Sequence, residues 1–123
     1  YLIDELNTQN ILEANHLLFL KKNQNIKEEE ISQHEIKTKR LDKILDSYNF
    51  NDIDFMNIDV EGHELHVLNS IDLLKYRIKF ICIEMIDHND QAKLVNEKLS
   101  IILNKNGYFL EKKIIFNHIF KKN

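Results

Sequence analysis

The sequence predicts an α/β domain with a mostly parallel sheet, helices on both faces and an antiparallel strand near the end. Three observations predict it. Apolar runs at 54–60 and 78–85 are rich in β-branched and aromatic residues, the composition of strands buried inside a sheet. Residues 41–48, 62–69 and 91–104 instead carry apolar residues at helical spacing. The last two apolar runs, 108–112 and 117–121, are joined too briefly for a parallel crossover. Alternating strands and helices call for parallel pairing, and the short final connection calls for one reversed strand.

The bulk properties bound the answer. The chain has 123 residues, enough for one domain that buries roughly two-thirds of its unfolded surface. With 43% hydrophobic and 30% charged residues its composition is that of an ordinary folded domain. A net charge of -3 gives no basic face for nucleic acid, and Lys112, Lys113, Lys121 and Lys122 read as solvated decoration. No apolar stretch approaches the ~20 residues of a membrane span. The single cysteine, Cys82, excludes an internal disulfide and fits a reducing compartment, so a cytoplasmic location is expected. Gly62 and Gly107 are the two glycines, and no G-x-G pattern follows any strand.

Taken in order, residues 1–35 read as a connecting, lid-like segment with an apolar-rich helical run at 11–20 and a polar stretch after it. Residues 35–40 alternate enough to make a short half-exposed strand. Leu41, Ile44, Leu45 and Tyr48 mark an amphipathic helix, which Asn49, Asn51 and Asp52 end. The strand at 54–60 turns at Gly62 into a helix running to about Asn69. Ser70 is placed to cap a further turn through Lys75 with Ile71 and Leu74 on its apolar side. The strand at 78–85 leads through a polar loop to a helix whose Ala92, Val95, Leu99, Ile102 and Leu103 share a face. Asn106-Gly107 stops that helix, and the last two strands form a hairpin at the sheet edge.

The acids cluster where the chain changes direction. Asp59 and Glu61 project at the carboxyl end of a strand just ahead of a helix, the place where open α/β sheets bind ligands. Asp59 is the first candidate for a catalytic carboxylate, against a plain capping role at the helix N-terminus. Strand alternation puts Glu61 on the same side, where it serves as a base or orients the turn. Gly62 is explained by backbone geometry, and Glu64 by bracing of the turn. His63 and His66 are three apart, whereas the H-E-x-x-H metal pattern needs four, so no metal is predicted. Glu84 closes the next strand, across from Asp59, as a catalytic or a bracing group. His88 is a loop histidine able to act as a base. Cys82 lies inside an apolar strand and reads as core.

Three ordered blocks also carry a resemblance. They are Thr38-Lys39-Arg40-Leu41-Asp42-Lys43-Ile44-Leu45, then residues 54–68 with Asp59-Val60-Glu61-Gly62 at their centre, then Ile81-Cys82-Ile83-Glu84. In this order and at these intervals they resemble the FkbM-type S-adenosylmethionine-dependent methyltransferases, best over residues 36–88. The resemblance implies that residues 36–123 are the C-terminal part of a Rossmann-like class I methyltransferase fold. It also implies S-adenosylmethionine as cofactor, transfer to an oxygen, and a small-molecule acceptor such as a saccharide. The family's glycine-rich turn and ribose-holding acid have no counterpart here, so no cofactor residue is carried over. Two other classes stay open: a non-catalytic α/β interaction domain, and a metal-dependent hydrolase using Asp59, Glu61 and His63. An incomplete sheet also exposes a strand edge through which copies of the chain can pair.

The missing turn makes residues 1–123 alone catalytically silent and weak for the cofactor. Calorimetric titration of S-adenosylmethionine, with S-adenosylhomocysteine in parallel, should give no heat from a folded sample. Micromolar binding would mean that a cofactor site forms without a glycine loop.

Overall fold

Residues 37–123 are described by the computed structural model. Their elements run α1 (Leu41–Ser47), β1 (Asp52–Ile58), α2 (Glu64–Asn69), β2 (Arg77–Glu84), α3 (Asp90–Lys105), β3 (Tyr108–Ile114) and β4 (Asn117–Lys122). The reading of residues 1–35 as a connecting segment lies outside the described residues.

Among the described residues one four-stranded sheet forms, in the order β1-β2-β4-β3. β1 and β2 pair in parallel, and β4 pairs antiparallel with both β2 and β3. Three strands therefore point one way, and β4 alone is reversed between two of them. The mixed α/β class with a reversed strand near the end agrees with the sequence. In the hairpin, β3 takes the outer edge and β4 is drawn inward against β2.

The crossover helices α2 and α3 touch each other, as two right-handed crossovers stepping the same way along a sheet require. Their Leu68, Leu99 and Leu103 are buried with Ile58, Ile81, Ile83 and Phe120 of the sheet. Tyr108 anchors the far edge. It is fully buried, and its hydroxyl donates to the Ile78 carbonyl at 3.0 Å. Lys122 lies 4.5 Å over the Tyr108 ring and donates to the Asn106 carbonyl at 2.6 Å, so this lysine is structural and not solvated decoration.

Several local expectations are corrected. Residues 37–40 form no strand: Arg40 is extended, but it leads straight into α1, and alternation without a partner strand makes no ladder. The run at 54–60 is not buried on both faces. β1 is an edge strand among the described residues, Ile58 is buried, and Phe55 stays 54% exposed. Phe55 instead heads a row across the sheet, paired in register with Phe80, then Lys121, then Phe109.

Ser70 does not cap the turn that follows it. Its hydroxyl accepts from Leu41 N at 3.1 Å, and its carbonyl accepts from Asp42 N at 3.1 Å, so it closes the start of α1 from a distance in sequence. Asp72 caps the turn instead, taking N–H bonds from Leu74 and Lys75. Leu74 is consequently exposed, while Leu73 and Tyr76 enter the core. The end of α1 is a Schellman motif. Asn49 takes φ 55°, Asn49 N bonds the Asp46 carbonyl, and Phe50 N bonds the Leu45 carbonyl.

Replacing Tyr108 with Phe removes a buried hydroxyl and leaves its carbonyl partner short of a donor. The expected loss is about 1 kcal/mol in urea unfolding, with no change in fold. No loss would mean that the Ile78 carbonyl is satisfied without it.

Candidate functional site

The site is built by one turn and one strand end. β1 stops at Ile58, and α2 starts at Glu64. Between them the chain reverses through Val60–His63, closed by His63 N donating to the Val60 carbonyl at 3.3 Å. Both central residues are left-handed, Glu61 at φ 52° and Gly62 at φ 96°. That is the mirror-image turn pattern, which favours Asn-Gly. Gly62 suits it, with no heavy atom near the place of a Cβ. Glu61 does not, and an L-residue held there costs about 1 kcal/mol. Alternation along β1 therefore fails to place Glu61, which belongs to a turn and not to the strand.

Glu64 holds the turn. It is only 5% exposed, and one carboxylate oxygen accepts from Val60 N at 3.2 Å and Gly62 N at 3.1 Å. Its place in the first turn of α2 adds the attraction of the helix N-terminus for negative charge.

Across the sheet, Ile58 pairs with Ile83, which puts Asp59 opposite Glu84. Asp59 and Glu61 are exposed, and Glu84 is half-buried. Burial pushes the Glu84 carboxyl above the ordinary carboxylate range, and the negative charges of Asp59, Glu61 and Glu64 push it further. The Cys82 thiol is raised chiefly by burial and then by Asp59, so Asp59 and Cys82 lie near one another. The acids thus form one cluster at the carboxyl ends of β1 and β2, with Glu64 buried, Glu84 half-buried, and Asp59 and Glu61 facing water.

The histidines are less concentrated. His63 precedes α2, half-buried, with its ring 5.5 Å from that of His66. His88 sits in the exposed loop between β2 and α3. Among the described residues no group of three His, Cys, Asp or Glu side chains is arranged to hold a metal ion. No described helix is long and apolar enough to cross a membrane.

Two residues at the start of β4 were not singled out from the sequence. Asn117 pairs with Glu84, and its Oδ1 lies 3.8 Å from the Cys82 Sγ. His118 pairs with Ile83, and its proton affinity is lowered chiefly by burial, then by Lys113, with Asp87 opposing. Only the hairpin's pairing register brings them here. Beside them a groove of about 800 Å³ opens between α3 and the hairpin, with Met85, Asp87, Phe116 and His118 in its lining.

A family model, the methyltransferase FkbM domain, matches residues 4–110. It covers all three sequence blocks that carry the resemblance. No curated protein and no solved structure gave a significant match.

Because Glu64 satisfies two backbone donors from a buried position, Glu64→Ala should lower stability by about 2–3 kcal/mol in urea unfolding. Glu64→Gln keeps an acceptor and should lose about half of that. Equal losses in the two variants would show that packing, and not the hydrogen bonds, holds the turn.

Proposed function

The chain belongs to the methyltransferase FkbM family, and from that premise we propose that it moves a methyl group from S-adenosylmethionine to a hydroxyl of a small cytoplasmic acceptor, a saccharide or a similar metabolite. The observation that carries this reading is the half-buried Glu84 facing the exposed Asp59 at the strand ends. Methyl transfer asks for little beyond alignment of the acceptor and a group to receive its proton. A carboxylate with a raised proton affinity is better matched to that task near neutral pH than an ordinary one.

Glu84 is placed to take the proton of an acceptor hydroxyl held against it, which leaves the oxygen a better nucleophile. Asp59 keeps the Glu84 proton affinity high and orients the acceptor. Glu61 and Gly62 hold the turn that aims Asp59, with Glu64 beneath it. His63 and His88 flank the opening.

The donor fits this edge in part. When bound, S-adenosylmethionine supplies an electrophilic methyl on a positively charged sulfur, which three carboxylates would favour. At the glycine turn, the N–H groups of Val60 and Gly62 are already taken by Glu64.

Sequence pattern put Asp59 first for the proton, whereas burial favours Glu84. The two are separated by the pH dependence of methyl transfer. In a protein that also carries the glycine-rich turn, Glu84→Gln should lower the rate by about 10²–10⁴-fold. Asp59→Asn removes a negative charge, so it should lower the Glu84 proton affinity and move the acidic limb of the profile to lower pH. An unmoved limb together with a fully active Glu84→Gln variant would return the proton to Asp59.

A further inference from the structure

We infer that the outer edge of β3 is a docking surface for a second copy of this chain: two β3 strands pair antiparallel about a two-fold axis at Lys112 and join two sheets into one. The inference is independent of the methyl-transfer reading. Of the two outer strands, β1 and β3, it is β3 that carries the side chains for it.

β3 closes one end of the sheet, with no strand beside it among the described residues. Past Tyr108 every one of its residues is exposed, and Phe109, Leu110 and Ile114 each keep about half of their surface in water. A bulge arranges them. Leu110 pairs with Phe120 and Lys112 with Ile119, so Glu111 is an extra residue without a partner. Its insertion brings Phe109 and Ile114 to the same face although they are five positions apart, because their partners Lys121 and Asn117 are four apart on β4. Leu110 and Lys113 share the other face, across from Phe120 and His118.

This order is self-complementary in one antiparallel register. A two-fold axis makes every contact twice, once in each direction. With the axis at Lys112, Phe109 of each copy stands opposite Ile114 of the other, and Leu110 stands opposite Lys113, whose aliphatic stem can cover it. At the axis the two Lys112 ammonium groups meet beside two Glu111 carboxylates, so positive and negative charges balance. Sliding one strand by two residues spoils this. In one direction Phe109 faces Lys112, and in the other the two Lys113 side chains oppose each other. Lysines and a bulge on an edge ordinarily guard it against pairing. Here Glu111 makes the guard selective, since it supplies the opposite charge that a second copy needs in this register. Among the described residues neither Glu111 nor Lys112 has an ion pair within its own chain. Pairing through β3 also leaves the acid cluster on β1 and β2 open, at the other end of the sheet.

Sedimentation velocity on the 123-residue chain, from micromolar to millimolar concentration, should show a monomer–dimer equilibrium. Glu111→Lys leaves only positive charge at the axis, and Lys112→Glu leaves only negative charge. Each variant alone should therefore sediment as a monomer over the same range. Mixed in equal amounts they carry opposite charges, and the dimer should return, which a variant that had merely unfolded would not do. Phe109→Cys and Ile114→Cys, mixed under mild oxidation, should give a disulfide-linked dimer. Leu110→Cys with Ile114→Cys should not, because those two positions lie on opposite faces. A monomer at every concentration overturns the inference. So does a dimer that both charge variants leave intact, or one that their mixture fails to restore.

Discussion

The buried carboxylate of Glu64 is the interaction on which the rest of the site depends. Two consecutive left-handed residues, one of them a glutamate, do not stay in place unaided. The bonds from Val60 N and Gly62 N to Glu64 Oε1 hold them. The same carboxylate sits in the first turn of α2, so the turn and the helix are started by one group. That helix delivers Leu68 to the core, and the core seats β1 against β2. The register of β1 and β2 then decides that Asp59 faces Glu84. Loosening Glu64 therefore acts on the site twice, through the aim of Asp59 and through the packing beneath it.

Reversal of β4 is the second constraint. A parallel strand in its place would present its carboxyl end beside Glu84, as β1 does. The reversed strand presents its amino end instead, and so brings Asn117 to an edge otherwise crowded with acids. The hairpin turn is tied to the same place, since Met85 N donates to the Phe116 carbonyl at 2.8 Å. Ile115 in that turn is left-handed and 83% exposed, an unusual state for a β-branched side chain. Chain reversal over two residues evidently matters more here than the comfort of that residue.

Much of this architecture was legible because it is written in local signals. Helical spacing located α1, α2 and α3, and Asn106-Gly107 marked the end of α3, where Gly107 takes φ 81°. The family blocks and the family match agree on the same residues. Features that depend on distant partners were not legible. Ser70 caps a helix 29 positions away from it, which no local window contains. Residues 37–40 alternate without any strand to pair with. The burial of β1 was overread because an apolar run reports hydrophobic demand, whereas exposure at an edge depends on which strands lie beside it. Asn117 escaped notice because its neighbours are set by the register of a hairpin, and nothing in the residues 117–121 states that register.

The distribution of the acids is the part of the arrangement with the clearest chemical content. Several carboxylates at one strand end repel one another, and two of them, Asp59 and Glu61, answer by facing water. Glu64 answers by filling its oxygen with backbone donors. Glu84 does neither. It is partly withdrawn from solvent and is surrounded by like charge, which is the environment that raises a carboxyl's affinity for a proton. A fold indifferent to chemistry would gain by replacing it with an amide or an aliphatic residue, since β2 already supplies Ile81 and Ile83 to the core. Keeping a carboxylate there, beside a turn strained by Glu61 when asparagine would relax it, costs stability at two adjacent positions. Strain and charge placed together at the carboxyl ends of a parallel strand pair are the physical ground on which the proposed proton transfer stands.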